Sequence, residues 1–275
     1  MPDAPLVDSH AHIFTLDLPM VDNPRHNPHY AYTAQDYLAD LDAHGVKCAV
    51  LAGVSLYGDY NDYQIDACRK HDRLRTTVVV KPEIERYVME AMARDGVVGV
   101  RLMWMGVKDL PDLTSFEYRR LLKRIKDLDW HVHLHLDGRR SKPVVDLLEA
   151  SGVKLVIDHF GTPNPEKGVG CEGFRNIIEK TQNGRTWVKM SAGYRIGAEA
   201  ANLYAAELLR CVPHDRLLWA SDAPFVSFEQ TVTYQQTLDD FHRWVPDAAL
   251  RSKISGDNPM ALYFGTPSLA FAHRR

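Results

Sequence analysis

Eight short runs of β-branched and apolar residues recur along the 275-residue chain, each separated from the next by a longer stretch of helical character. They fall near Leu6 and at residues 48–52, 76–80, 97–100, 130–136, 154–157, 186–188 and 217–220. Between them, residues 116–128 put Leu121, Leu122, Ile125 and Leu128 on one face, and residues 144–148 have the same helical spacing. Strict alternation of strand and helix implies a parallel sheet, and eight strands are the number that closes it. The predicted fold is therefore a single α/β domain, a (β/α)8 TIM barrel over residues 1–265. Residues 266–275 form a tail with no obvious core face. No internal repeat, low-complexity tract or linker interrupts the pattern, and the Pro-rich stretch 19–28 reads as a lid loop after strand one.

Charge and cysteine content narrow the function. With 33 basic against 36 acidic residues, the chain has no electrostatic footprint for nucleic acid or an anionic membrane, so the expected partner is a small molecule. A homo-oligomer stays open. Cys48, Cys68, Cys171 and Cys211 show no C-x-x-C spacing and are expected to be reduced thiols rather than a zinc ribbon or redox pair. The start lacks secretory character and no run reaches the ~20 apolar residues of a membrane span, which predicts a cytoplasmic protein.

A barrel of this kind carries its chemistry at the C-terminal ends of its strands. Strand one ends in His10 and His12, strand four in Arg101, strand six in Asp158 and His159, and strand eight in Ser221 and Asp222. Strand five alternates His131, His133 and His135 with Val132, Leu134 and Leu136. The apolar set must meet the outer helices, so the histidines point inward. Unpartnered buried imidazoles cost on the order of 1–3 kcal/mol each, so the choice needs a reason. His135, nearest the mouth, is the functional candidate and His131, near the bottom, the structural one. His133 stays open between network member and ligand.

Each candidate has a bland alternative. A pair of histidines spaced i, i+2 occurs by chance among 13 histidines. Ser-Asp-Ala-Pro at 221–224 is good helix-start chemistry, although capping would not exclude catalysis. Arg101 could serve a loop salt bridge and Arg195 the surface. Together the two arginines suggest an anionic substrate. Whether Lys189 faces the interior or the helices is left undecided by the pattern.

In order and spacing, Asp8-Ser9-His10-Ala11-His12, Gly99-Val100-Arg101, Val156 to Gly161, Val188 to Ser191 with Tyr194-Arg195, Trp219 to Asp222 and Asp257-Asn258-Pro259 resemble the amidohydrolase superfamily. The resemblance is to its branch of small barrels, amidohydrolase family two, which includes the 2-pyrone-4,6-dicarboxylate lactonases. It covers nearly the whole chain. It implies a hydrolytic centre in which Asp222 is general base toward water, while His10, His12 and His159 hold a metal or polarise the substrate carbonyl directly. In the lactonase branch the resemblance implies metal-free chemistry with arginines on the substrate carboxylates, here Arg101 and Arg195. It further implies polar contacts from Ser55 and from Tyr30 or Tyr32.

Two departures stand out. His135 occupies the place of a tyrosine, and Asp222 is followed by Ala223-Pro224-Phe225 rather than tryptophan, proline and histidine. An added imidazole favours one zinc or manganese ion on His10, His12, His159 and Asp222, with metal-independent catalysis as the alternative. The expected activity is hydrolysis of a carboxylated cyclic ester. Metal-dependent decarboxylation of an unsaturated or aromatic acid ranks second, because Lys189-Met190-Ser191 replaces a further histidine after strand seven. A non-catalytic small-molecule-binding barrel is the reading from another class.

Overall fold

The computed structural model of the protein describes residues 5–265. The expected tail at residues 266–275 lies outside them. Eight parallel strands form one sheet in sequence order: β1 (Val7–Ala11), β2 (Cys48–Leu51), β3 (Leu74–Val78), β4 (Val97–Met103), β5 (His131–His135), β6 (Lys154–Ile157), β7 (Thr186–Met190) and β8 (Leu217–Trp219). Past the end of β8, Asp222 N–H donates to His10 O at 2.9 Å and His12 N–H to Ala223 O at 2.8 Å, which brings the last strand end onto the first. The expected TIM barrel is the observed fold.

The helices follow their strands as the apolar spacing demands: α1 (Ala34–Ala43), α2 (Asp62–Lys70), α3 (Arg86–Arg94), α4 (Phe116–Asp127), α5 (Ser141–Ala150), α6 (Glu172–Thr181), the short α7 (Gly193–Ile196), α8 (Ala198–Cys211) and α9 (Tyr234–Trp244). Reciprocal capping boxes start α1 at Thr33 with Asp36 and α9 at Thr233 with Gln236. In α4, Leu121, Leu122 and Ile125 are buried in the same core as Val132 and Leu134 of β5. None of the helices among the described residues is long and apolar enough to cross a membrane. All four cysteines are free.

The β4–β5 register pairs Gly99 with His131, Arg101 with His133 and Met103 with His135. Gly99 is required there, because a Cβ would stand 2.6 Å from both Cε1 and O of His131. The floor of the barrel is apolar: Val7, Cys48, Val50, Val156 and Leu218 pack with Tyr263 and Phe264 from the C-terminal turns. Asn258 ties those turns to β8 by donating to Leu217 O at 2.8 Å and to His214 O at 2.7 Å. Polar chemistry is thereby displaced toward the opposite end.

Candidate active site

A bulge in β1 decides which way its polar residues face. The register runs Val7 with Cys48, Asp8 with Ala49, then Ala11 with Leu51, so β1 carries one extra residue between Asp8 and Ala11. Asp8 therefore meets the helices, accepting from Tyr37 of α1 at 3.0 Å, Tyr234 of α9 at 2.9 Å and the Ser221 amide at 2.9 Å. Burial still raises its pKa. His10 and His12, beyond the bulge, turn into the barrel.

Their partners assign their tautomers. His12 Nδ1 lies 3.0 Å from Ala52 O, which only accepts, so Nδ1 carries the proton and Nε2 a lone pair. His10 Nδ1 lies 3.0 Å from Asp158 Oδ1, closer than Lys189 Nζ at 3.2 Å, and the Arg101 guanidinium faces its Nε2 at 3.5 Å, so Nδ1 donates to Asp158 and Nε2 keeps a lone pair. The two Nε2 atoms face each other at 3.2 Å, with Asp222 Oδ1 3.5 Å from His10 and 3.8 Å from His12. Three acceptors converge with no proton of their own, and Arg101 Nη2 stands 3.5 Å from His10 Nε2. The edge of a tetrahedral zinc shell with ligands at 2.0–2.1 Å is about 3.3 Å, so His10, His12 and Asp222 fit one divalent ion. Burial, reinforced by Arg101, lowers the His12 pKa to about 3, and burial likewise lowers that of His10. Neutral imidazoles are what a metal requires.

Asp222 is held in a left-handed conformation, φ 67°, as is His159, φ 47°. Strain of this kind in non-glycine residues concentrates at functional sites. Tyr194 OH donates to Asp222 Oδ2 at 2.7 Å and Arg195 Nε–H to the same oxygen at 2.8 Å. Oδ1 is left for the imidazoles, with His159 Nε2 3.8 Å away. Burial pushes the Asp222 carboxyl up, but His159, Arg195, His10 and His12 outweigh it and hold it well below the ordinary carboxylate range. His159 is fixed through Nδ1 by Ser191 Oγ at 2.9 Å.

Beneath these residues lies a buried charge network. Asp158 meets His10, His133, Arg101 at 3.1 Å and Lys189 at 3.5 Å. Lys189 Nζ also lies 2.9 Å from His133 Nε2 and 3.2 Å from His10 Nδ1. Lys189 thus faces the interior, and His133 is a member of the network. Burial lowers the Lys189 pKa to about 8, while Asp158 opposes the shift. Burial alone would raise Asp158, but His10, His133, Lys189 and Arg101 keep it ionised.

Above lies a pocket of about 180 Å³. Of the residues singled out in the sequence, His12, Ser55, Arg101, His135, His159, Arg195 and Asp222 line it, and His10 sits directly behind. Tyr32 does not; its hydroxyl donates to Asp40. Tyr30 lines a neighbouring surface recess with Glu229. His131 sits at the bottom against Tyr263, ring centroids 5.2 Å apart. Sequence pattern did not reveal Arg25, His26 and Thr162 in the wall, because they come from irregular loops with no periodicity. The segment expected to form a lid supplies the first two.

Comparison with known proteins identifies the family. The profile of the amidohydrolase family matches residues 7–265. A 2-pyrone-4,6-dicarboxylate hydrolase of Comamonas testosteroni is 29% identical over 94% of this chain and 90% of its own. A 4-sulfomuconolactone hydrolase of Rhizobium radiobacter is 28% identical over 93% and 89%. The crystal structure of a probable 2-pyrone-4,6-dicarboxylic acid hydrolase from Acinetobacter baumannii, with citric acid bound, superposes with a TM-score of 0.90 at 26% identity, covering 95% of this chain and 99% of that one.

Proposed function

The chain belongs to the amidohydrolase family of hydrolases, and from that premise we propose that it opens a carboxylated or sulfonated lactone by water attack at the barrel mouth. The observation that carries this reading is the ionised, buried Asp222, one oxygen held by Tyr194 and Arg195 and the other turned toward three imidazoles on the floor of an arginine-walled pocket.

In this mechanism Asp222 Oδ1 takes a proton from water as the water oxygen bonds to the lactone carbonyl carbon. Clamping Oδ2 aims the free oxygen and prevents the carboxylate from rotating away. His159, oriented by Ser191, lies beside that oxygen and polarises the carbonyl. When the tetrahedral intermediate collapses, the ring C–O bond breaks and the protonated Asp222 gives its proton to the leaving oxygen. A positioned base contributes about 10²–10⁴ in rate and each oxyanion donor about 3–4 kcal/mol. A zinc or manganese ion held by His10, His12 and Asp222 would supply Lewis-acid polarisation of the carbonyl and acidify a bound water.

The test is incubation of the purified protein with 2-pyrone-4,6-dicarboxylate and with 4-sulfomuconolactone, following loss of the lactone and release of one acid equivalent. Ring-opened acid is expected. Carbon dioxide release would move the protein to the decarboxylases, and binding without turnover to the non-catalytic reading.

A further inference from the structure

Three guanidinium groups, Arg25, Arg101 and Arg195, line the same pocket. Two are already committed. Arg101 donates to Asp158 at 3.1 Å and to Gly53 O at 2.7 Å. Arg195 donates to Asp222 at 2.8 Å and to Val226 O at 3.3 Å, with its guanidinium over the rings of Tyr194 and Phe228. Arg25, from the segment after β1, lines the pocket while its side chain stays exposed to solvent, and it makes no hydrogen bond or ion pair among the described residues. Desolvation, Arg195 and Arg101 all act against its charge. Three like charges around one pocket repel one another, and an anionic ligand seated among them would remove that cost.

A second observation points to the same wall. His135 Nδ1 and Thr162 Oγ1 are buried with no hydrogen-bond partner, and both residues line the pocket. Buried polar atoms left unpaired in this way await a partner. The Arg25 charge acts on His135, which places the cation within electrostatic reach of these atoms.

We propose that Arg25 is an anion-recognition residue of this pocket, binding an oxyanion substituent of the substrate ring, carboxylate or sulfonate, while His135 and Thr162 hydrogen-bond a neighbouring polar group. The inference rests on the lactonase reading for its substrate class. It adds a charge from the loop after β1, held by no protein group, to those of Arg101 and Arg195, whose guanidinium groups also hold the network and the base. A guanidinium matches both oxyanions with paired N–H donors, which an ammonium cannot reproduce.

The experiment is titration calorimetry of the wild-type protein, Arg25→Gln and Arg25→Lys with three inert ring probes: isophthalate, 3-sulfobenzoate and monomethyl isophthalate. A charge-assisted contact of this kind corresponds to about 10- to 100-fold in affinity. Isophthalate and 3-sulfobenzoate should bind the wild type at least about tenfold more tightly than the monoester, and Arg25→Gln should erase that difference, with partial recovery in Arg25→Lys. Loss of the difference for only one of the two probes identifies which oxyanion the subsite takes. Unchanged binding in Arg25→Gln, or no binding of any probe to the wild type, overturns the proposal. Lactone turnover by the wild type measured alongside separates the two claims. Turnover with unchanged Arg25→Gln binding sinks this inference alone, whereas Arg25-dependent binding without turnover sinks the lactonase reading alone.

Discussion

Replacing Asp158 by asparagine removes the one carboxylate that four buried groups share. Its oxygens lie 3.0 Å from His10 Nδ1, 3.1 Å from Arg101 and 3.5 Å from Lys189, with His133 also on Oδ1. The Arg101 and Lys189 side chains are only 3% and 1% exposed, so Asp158→Asn strands two cations away from water. Breaking a buried pair in this way costs about 3–5 kcal/mol. At about 2–4 °C per kcal/mol for a chain of this size class, the melting temperature should fall by roughly 6–20 °C.

The pH dependence sharpens the prediction. The folded-state pKa of Lys189, about 8, lies below its ordinary 10.5, so above pH 8 the folded protein sheds a proton that the unfolded chain retains, and the Lys189 contribution to stability rises with pH. The Asp158→Asn deficit should therefore be larger at pH 7 than at pH 9.5. Urea unfolding of wild type, Asp158→Asn, Lys189→Met and the double variant measures this, and the double variant should be at least about 1 kcal/mol more stable than the two single losses summed. A deficit under about 1 kcal/mol, or strict additivity, refutes the network as described.

On the acid side, burial brings His12 and His131 down to about 3, below the 6.5 of the unfolded chain, so the unfolded state binds more protons between those values and stability falls as pH drops below 6.5. The depressed carboxylates Asp158 and Asp222 act in the same direction at lower pH. Unfolding midpoints measured from pH 7 to pH 4 should decline steadily, and a flat profile would contradict the assignment. Protein produced with added zinc and manganese, without a metal-affinity tag, should retain about one divalent ion per chain by elemental analysis, and His12→Ala should lose it. Full lactone turnover by wild-type protein that retains no ion would remove the metal from the account.

The barrel was legible because alternating β-branched and helical segments follow from burial on both faces of a parallel sheet, and β6 falls at Lys154–Ile157 as expected. The inward histidines of β5 followed from the same period of two. That rule fails on β1, where one extra residue turns Asp8 outward and His10 inward although their spacing would put them on one face. Lys189 could not be placed, because a long aliphatic stem suits either side of a strand until its partners are known. Tyr30 and Tyr32 lie on a loop, where spacing carries no direction, and the structure puts both outside the pocket lining. Arg25 escaped for the same reason. Arg195 lines the pocket and also holds Asp222, a pairing across 27 residues that no local pattern encodes.

The central claim is that Asp222 drives water onto a lactone carbonyl. The direct measurement is turnover of 2-pyrone-4,6-dicarboxylate in ¹⁸O-water by wild type and Asp222→Asn, with mass analysis of the product and circular dichroism to verify the fold. The account expects one ¹⁸O in the newly formed carboxylate and a rate about 10²–10⁴ lower in a folded Asp222→Asn. Near-wild-type turnover by Asp222→Asn, or a product without ¹⁸O, would contradict it.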